Sequence, residues 1–461
     1  MPSAIRSLFP AEQIPGMVSL LSGKPNSETF PLSKIHLELK PSPVNPEGED
    51  GRPVTVTIEG DDLESALQYG PTSGLTKLVD WMEEFQSKVH ARPRTSVKDT
   101  KDASDRWRVS FGNGSQDLLT KAFEALVDRG DSVVLESPAY SGILPSLKNL
   151  GARIFEAETD HEGVNPVKLD KLLTEWKSSP KTSSSPFPKF LYTTPTGANP
   201  SGTTASDERK RQVLEVVRKH NILLLEDDPY YFLSFQGLGQ DPLTRKRGKS
   251  YFSLEVEEEN QIWGVGRVLR FDSTSKILSA GLRLGFATGP TPLLDAIDLD
   301  TSSRNLQPSG TSQALAYALF RHWGISNFLA HADLVAKFYL ERLEFFEARA
   351  KENLSGLAEW VKPTAGMFLW IKLKLPPVEG EEDGDSFKLI SEKAKEALVL
   401  ALPGVAFVPG DGGEPGGRKK RSAYVRTSFS VVPLDQVDLG FKRLRGVILK
   451  AWEDSGKHLE V

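Results

Sequence analysis

The chain contains no cysteine in 461 residues. Disulfides, thiolate metal centres and cysteine nucleophiles are therefore excluded, and a reducing compartment such as the cytoplasm is the expected location. Apolar runs of the roughly 20 residues that a membrane helix needs are also missing. The first residues, MPSAIRSLFPAEQIPG, lack the long apolar core of a secretory signal. A strong excess of either charge is also missing: 57 Lys and Arg against 62 Asp and Glu leave a net charge of -5, too little for a nucleic-acid or anionic-membrane footprint. The seven histidines are scattered, with no HExxH or similar ligand spacing, and GVG at 264–266 lacks the third glycine of a dinucleotide fingerprint. No internal repeat is found.

What is present is a globular composition, 38% hydrophobic and 26% charged, long enough for two lobes around a large core. Apolar spacing alternates between helix and strand. QDLLTKAFEALV, YSGILPSLKNLG and SDERKRQVLEVVRKH have helical spacing, while SVVLE, ARIFEAE, KFLYTTP and NILLLEDDPY suit buried strands. This alternation predicts an α/β fold whose mostly parallel sheet is covered on both faces. Past about Pro290 come long amphipathic stretches and the strands FLWIKLKL and AYVRTSFSVV, which imply a smaller second α/β domain. PPVEGEEDGDS, GDGGEPGGRKKRS and NPEGEDGRP read as solvated loops.

Ligands of open parallel sheets bind beyond the carboxyl ends of the strands, and the unusual residues gather there. GNGSQDLL sets Ser115 and Gln116 at a loop-to-helix junction, where free N–H groups favour phosphate, although a serine there is equally a plain N-cap. ESPAY ends with Tyr140 and TTPTGANPSG carries Asn199; both also read as turn chemistry. LLLEDDPYY runs from leucines into Glu226, Asp227 and Asp228, which are costly to bury unless a cation meets them; capping or a salt bridge is the plainer account. In FDSTSKILSAGLRLG, Lys276 follows an apolar run and stands among hydroxyl residues. A lysine, a strand-end carboxylate and a glycine-rich helix start together suit a cofactor with an aldehyde, a basic ring nitrogen and a phosphate, which is pyridoxal 5'-phosphate.

The ordered set SQ, ESPAY, PxxxNPSG, EDDPYY, SxSK, GLRLG and VRTSFS resembles the class I/II aminotransferases of fold type I. Within them it is similar to the branch of fungal aromatic and kynurenine/2-aminoadipate aminotransferases, over nearly the whole chain. The resemblance implies a large cofactor-binding domain over 61–325, a C-terminal small domain over 326–461, and an N-terminal arm with part of the small domain over 1–60. It implies that Lys276 bonds the cofactor aldehyde and shuttles protons, that Asp227 pairs with the ring nitrogen, and that Tyr140 stacks on the ring. Asn199 and Tyr230 match the pair on its phenolic oxygen, and Ser115, Gln116, Ser273, Ser275 and Arg283 match the phosphate shell. Tyr69 matches a tyrosine donated across a homodimer interface, and Arg426 the arginine for the substrate α-carboxylate. Arg6 matches a residue of a segment that folds over bound substrate. Gly23, in LSGKPN, falls in a substrate-contacting motif in which many relatives have an additional glycine. The implied reaction moves an amino group from an L-amino acid, aromatic by preference, to 2-oxoglutarate. A kynurenine or 2-aminoadipate donor, a fold-type I lyase, a non-catalytic regulator and a cofactor-free binding protein are the alternatives.

Overall fold

Two short N-terminal strands, β1 (Ile35–Glu38) and β2 (Thr55–Ile58), pair antiparallel and lead into helices α1 (Gly60–Leu67) and α2 (Thr76–Val89). The computed structural model describes residues 8, 11–12, 14–21, 23–48, 51–94, 106–257, 264–378, 384–410, 421–457 and 459. Arg6 and parts of the three charged loop segments, including 379–383 and 411–420, lie outside the described residues.

The apolar runs become one central sheet. Its strands are β3 (Trp107–Gly112), β4 (Ser132–Ser137), β5 (Arg153–Asp160), β6 (Gly163–Val164), β7 (Phe190–Thr193), β8 (Leu223–Asp227), β9 (Val268–Ser273) and β10 (Gly285–Pro290), in the order β3-β10-β9-β8-β7-β4-β5-β6. The stretch from β5 through β4, β7 and β8 to β9 is parallel. β10 runs antiparallel to both its neighbours, and β6 turns back on β5. These two reversals were not anticipated, because β10, buried along its whole length, carries no mark of its direction and β6 is only two residues long.

Helices α3 (Ser115–Leu126), α4 (Leu144–Leu150), α5 (Pro166–Thr174), α6 (Asp207–Lys219), the single turn α7 (Tyr251–Leu254) and α8 (Thr291–Arg304) accompany the strands. The residue chemistry of α6 shows why it forms. The Ser206 hydroxyl caps the Arg209 amide, Asp207 and Glu208 sit at the positive end, and Arg218 and Lys219 at the negative end. Its buried face, Val213, Leu214, Val216 and Val217, packs on the sheet. Two separate apolar clusters cover the sheet: one holds Val134, Leu191 and Leu224, the other Val133, Leu135, Tyr192 and Leu225. This is the period-two split of β4, β7 and β8 onto opposite faces. Each fully buried leucine contributes about 1.5–3 kcal/mol.

The long helix α9 (Gly310–Leu354) breaks at Gly324, whose φ of 62° and ψ of -177° are not helical. It is followed by β11 (Ala358–Trp360), β12 (Phe368–Leu373), the short α10 (Ser386–Lys388), β13 (Leu402–Pro403), β14 (Tyr424–Ser428) and α11 (Leu434–Ser455). The four C-terminal strands form a second sheet, in the order β11-β12-β14-β13. Of the buried apolar residues of α9, Ala314 and Ala318 pack with β2 and α1, the others up to Ala336 with the large-sheet core, and those from Leu343 onward with the C-terminal one. Among the described residues, no helix is long and apolar enough to cross a membrane, and no group of three or more His, Asp or Glu side chains could hold a metal ion.

Candidate active site

The EDD triplet shows how the sheet sorts identical chemistry. Successive residues of a strand point to opposite faces, so Glu226 and Asp228 share one face and Asp227 takes the other. Arg270 of β9, fully buried, meets Glu226 at 2.9 Å, Asp228 at 3.0 Å and Asp272 at 2.7 Å. Glu226 also accepts from the Tyr251 and Phe252 amides at the start of α7. Capping and salt-bridging thus account for Glu226 and Asp228. The cation was hidden within VLRF; its two-residue spacing from Asp272 is the signal that would have found it.

Asp227 differs in having no ion pair among the described residues. Its Oδ2 accepts from the Tyr192 hydroxyl at 2.6 Å, while its Oδ1, like Oδ1 of the arginine-paired Asp228, is buried with no hydrogen-bond partner among the described residues. Burial pushes its carboxyl up to about 7, Asp228 and Asp272 add to this, and the Tyr192 hydrogen bond opposes it. A buried acceptor without a donor is rare and calls for a partner. A protonated ring nitrogen is a partner of the right charge and donor type.

The other predicted residues converge on the same end of the sheet. Lys276 closes a turn of 3₁₀ helix directly after β9, its Nζ 6.0 Å from the centre of the Tyr230 ring. Burial, followed by Arg283 and Arg426, pulls its amine below the ordinary lysine value, so more of it is neutral and nucleophilic. Tyr230 is buried and its hydroxyl is pushed up, by burial and by Asp227. The same two causes, in the same order, raise Tyr140. Arg426, on β14, donates from Nη1 to Asn199 Oδ1 at 2.8 Å. Its guanidinium lies 4.3 Å from the centre of the Phe368 ring and 5.1 Å from that of Phe407, and its Nε has no hydrogen-bond partner among the described residues. Phe368 and Tyr192 carried no sequence signal, since aromatic residues in strands are ordinary core, and Phe407 lies in a short 3₁₀ turn that no local pattern marks.

Ser115 opens α3, preceded by Gly114 at φ 90°. A Cβ on Gly114 would meet Arg283 Nη2 at 2.5 Å, and one on Gly285 would meet the Ser115 amide nitrogen at 2.5 Å. The helix start, Arg283 and β10 therefore approach so closely that only glycine fits, forming a cradle of N–H groups and a guanidinium that suits a phosphate. Gln116 donates to the Gly142 carbonyl, and Ser273 Oγ accepts from the Ser275 amide. The donor set, the orphan Asp227 oxygen and the placement of Lys276 all fit pyridoxal phosphate.

Two predicted residues are not brought to this cluster. Tyr69 is 54% exposed and lines a separate cavity of about 430 Å³ with Gln68, Tyr317 and Arg321. Gly23 is exposed, with nothing within 4 Å of where a Cβ would stand.

Beside the site, Glu136 is buried and accepts from the Thr193 hydroxyl and the Thr194 amide. Burial is the main reason its carboxyl is pushed from 4.5 to about 8. A folded-state value above the unfolded one means a contribution fully present below about pH 4.5 and lost as pH rises through about 8. Glu136→Gln removes that loss. Relative to wild type, its stability is expected to be similar at pH 5 and higher by on the order of 2–4 kcal/mol by pH 8, read by denaturant unfolding at both pH values. A difference independent of pH would refute this.

Residues 54–408 match the family of class I and II aminotransferases. Aminotransferase tdiD of Emericella nidulans is 41% identical over 447 residues, covering 97% of this chain and 93% of that protein. The mitochondrial kynurenine/alpha-aminoadipate aminotransferase of Bos taurus is 37% identical, covering 94% and 92%. The crystal structure of aminotransferase Aro8 from Candida albicans superimposes with a TM-score of 0.82 at 27% identity, covering 98% of this chain and 96% of that one. With a lysine, a carboxylate with one unpartnered oxygen and a phosphate cradle at one end of the sheet, the chain belongs to the class I and II aminotransferase family and is a pyridoxal-phosphate-dependent aminotransferase of fold type I.

Proposed function

We propose that the enzyme transfers the amino group of an aromatic L-amino acid to 2-oxoglutarate, both substrates using one site in turn. The observation that carries this is Arg426, set between the faces of Phe368 and Phe407 and hydrogen-bonded to Asn199. A planar cation held in an aromatic frame takes an α-carboxylate by two parallel hydrogen bonds and leaves apolar surface for a ring. The Bos taurus relative is named for an aromatic amino acid, kynurenine, and for an amino diacid.

When bound, pyridoxal phosphate supplies an aldehyde that condenses with amines and a protonated ring that withdraws electrons. The α3 start, Arg283, Ser273 and Ser275 hold its phosphate in this reading, and Asp227 keeps its ring nitrogen charged. Asn199 and Tyr230 serve the phenolic oxygen, and Tyr140 covers the ring face. Lys276, with its lowered proton affinity, is free to take the proton from the substrate α-carbon and return it elsewhere. Arg426 fixes the carboxylate so that this carbon faces Lys276.

The test is a half-reaction screen that follows the visible band of the holoenzyme with Phe, Tyr, Trp, kynurenine and 2-aminoadipate. Aromatic donors are expected to react at least about tenfold faster than 2-aminoadipate, since even one methylene in an apolar pocket is worth about 1–3 kcal/mol of discrimination. Faster reaction with 2-aminoadipate would reassign the donor, and elimination products would indicate a lyase.

We also propose the division into an arm over 1–60, a large domain over 61–325 and a small domain over 326–461, a cytoplasmic location, and Arg6 and Gly23 as substrate contacts. The functional unit in this reading is a homodimer in which Tyr69 reaches the partner's phosphate site; its exposure in the single chain is consistent with that role. Mixing Tyr69→Ala with Lys276→Ala is expected to restore up to about a quarter of wild-type activity, because random exchange leaves one intact site in each mixed dimer. No recovery after demonstrated subunit exchange would exclude shared sites.

A further inference from the structure

One oxygen of Asp227 is held by a hydroxyl and the other has no hydrogen-bond partner among the described residues. Tyr192 on β7 pairs in register with Leu225 on β8, which places Tyr192, Leu225 and Asp227 on the same face of the sheet. Tyr192 is fully buried, and its hydroxyl donates to Asp227 Oδ2 at 2.6 Å. The end of β7 is itself tied to β4, because the Glu136 carboxyl accepts from the Thr193 hydroxyl at 2.7 Å and from the Thr194 amide at 2.8 Å. A carboxylate turns easily about its last side-chain bond; fixing one oxygen fixes the direction of the second.

We propose that Tyr192 is a positioning residue for amino transfer. Its hydroxyl sets the rotation of the Asp227 carboxylate so that Oδ1 alone is presented to the ring nitrogen of the cofactor, and it keeps that carboxylate in its charged form. The inference rests on Asp227 being the ring-nitrogen partner. Hydrogen bonding to a carboxylate favours the ionised state, and here it works against burial and the neighbouring charges of Asp228 and Asp272. Without the hydroxyl, Asp227 would be more basic and would hold a ring nitrogen in its protonated form less well, weakening the electron sink that the cofactor would supply. No bond to the substrate changes hands at Tyr192.

The test is Tyr192→Phe, which keeps the ring in the core and removes one oxygen. Three readouts are expected to move: kcat falls roughly tenfold with donor KM within about twofold, the dissociation constant of pyridoxal phosphate from cofactor-free protein rises roughly tenfold, and the pH at which the bound cofactor's visible band changes moves upward. A role confined to packing would leave the third unmoved. In a double-mutant cycle, Tyr192→Phe in the Asp227→Asn background is expected to cost less than about twofold in kcat and affinity, because the charge it serves is gone. Additive losses, or a visible transition at the wild-type pH, would overturn the proposal. If Tyr192→Phe alone does not fold, the comparison of Asp227→Asn with the double variant decides, since neither buries a charge at residue 227. Should Asp227→Asn itself bind and turn over as wild type, the reading of Asp227 falls and this inference with it. A silent Tyr192→Phe beside an impaired Asp227→Asn overturns the inference alone.

Discussion

Lys276→Ala is expected to lower kcat for amino transfer by at least about 10⁴, because the variant loses both the amine that bonds the cofactor and the base that moves the α-proton; proton transfer alone is worth about 10²–10⁴. The position explains why no neighbour can substitute. Lys276 ends the turn that follows β9, half-buried, with its amine pulled down by burial and then by Arg283 and Arg426. A guanidinium is not a general base at neutral pH, so the neighbouring arginines offer no substitute for the amine. Cofactor is expected to remain bound to the variant without a covalent link, since the α3 start and Arg283 are untouched. Borohydride reduction of the wild type followed by peptide mapping locates the covalent lysine. Label on any lysine other than Lys276, or a variant within about a hundredfold of wild-type kcat, would overturn the assignment.

Lys276 was legible in the sequence because an ammonium among Ser, Thr and Gly at the end of an apolar run has no structural purpose that water would not serve better. The same logic exposed the EDD triplet, and the leucines before it announced a buried strand. Other residues were illegible for identifiable reasons. Arg270 sits inside an apolar run, where hydropathy cannot tell a misplaced charge from one paired with three carboxylates, and only its two-residue spacing from Asp272 hints at the pairing. Tyr192 and Phe368 have the composition of core. Phe407 reaches Arg426 from outside both strands of the β12–β14 pair, a contact that no local pattern encodes. The break in α9 at Gly324 was invisible because amphipathic spacing resumes beyond it. The orientation of β10 was unreadable since all six of its residues are buried.

Replacing Asp227 and Asp228 separately is expected to divide function from architecture between two adjacent and chemically identical residues. Asp227→Asn removes the charge that would hold a protonated ring nitrogen. Losing one partner of a buried charge pair costs about 2–5 kcal/mol, or roughly 30- to several-thousand-fold in kcat. The cofactor-free form of this variant is expected to be no less stable than wild type near neutral pH. The reason is the sign of the shift: burial holds the Asp227 carboxyl up at about 7 against 3.8 in an unfolded chain, so its contribution is lost as pH rises through about 7, and a neutral amide escapes that loss. Asp228→Asn acts on the opposite face, where Arg270 binds Asp228, Glu226 and Asp272. Two carboxylates remain on the guanidinium after the change, so the cost stays below the about 3–5 kcal/mol of stranding a buried charge. It is expected in unfolding free energy, at about 1–2 kcal/mol, with kcat within roughly fivefold. Steady-state kinetics and denaturant unfolding of both variants read the two axes independently. Equal, mild kinetic losses would mean that the alternation of side chains along β8 does not decide which carboxylate serves the cofactor.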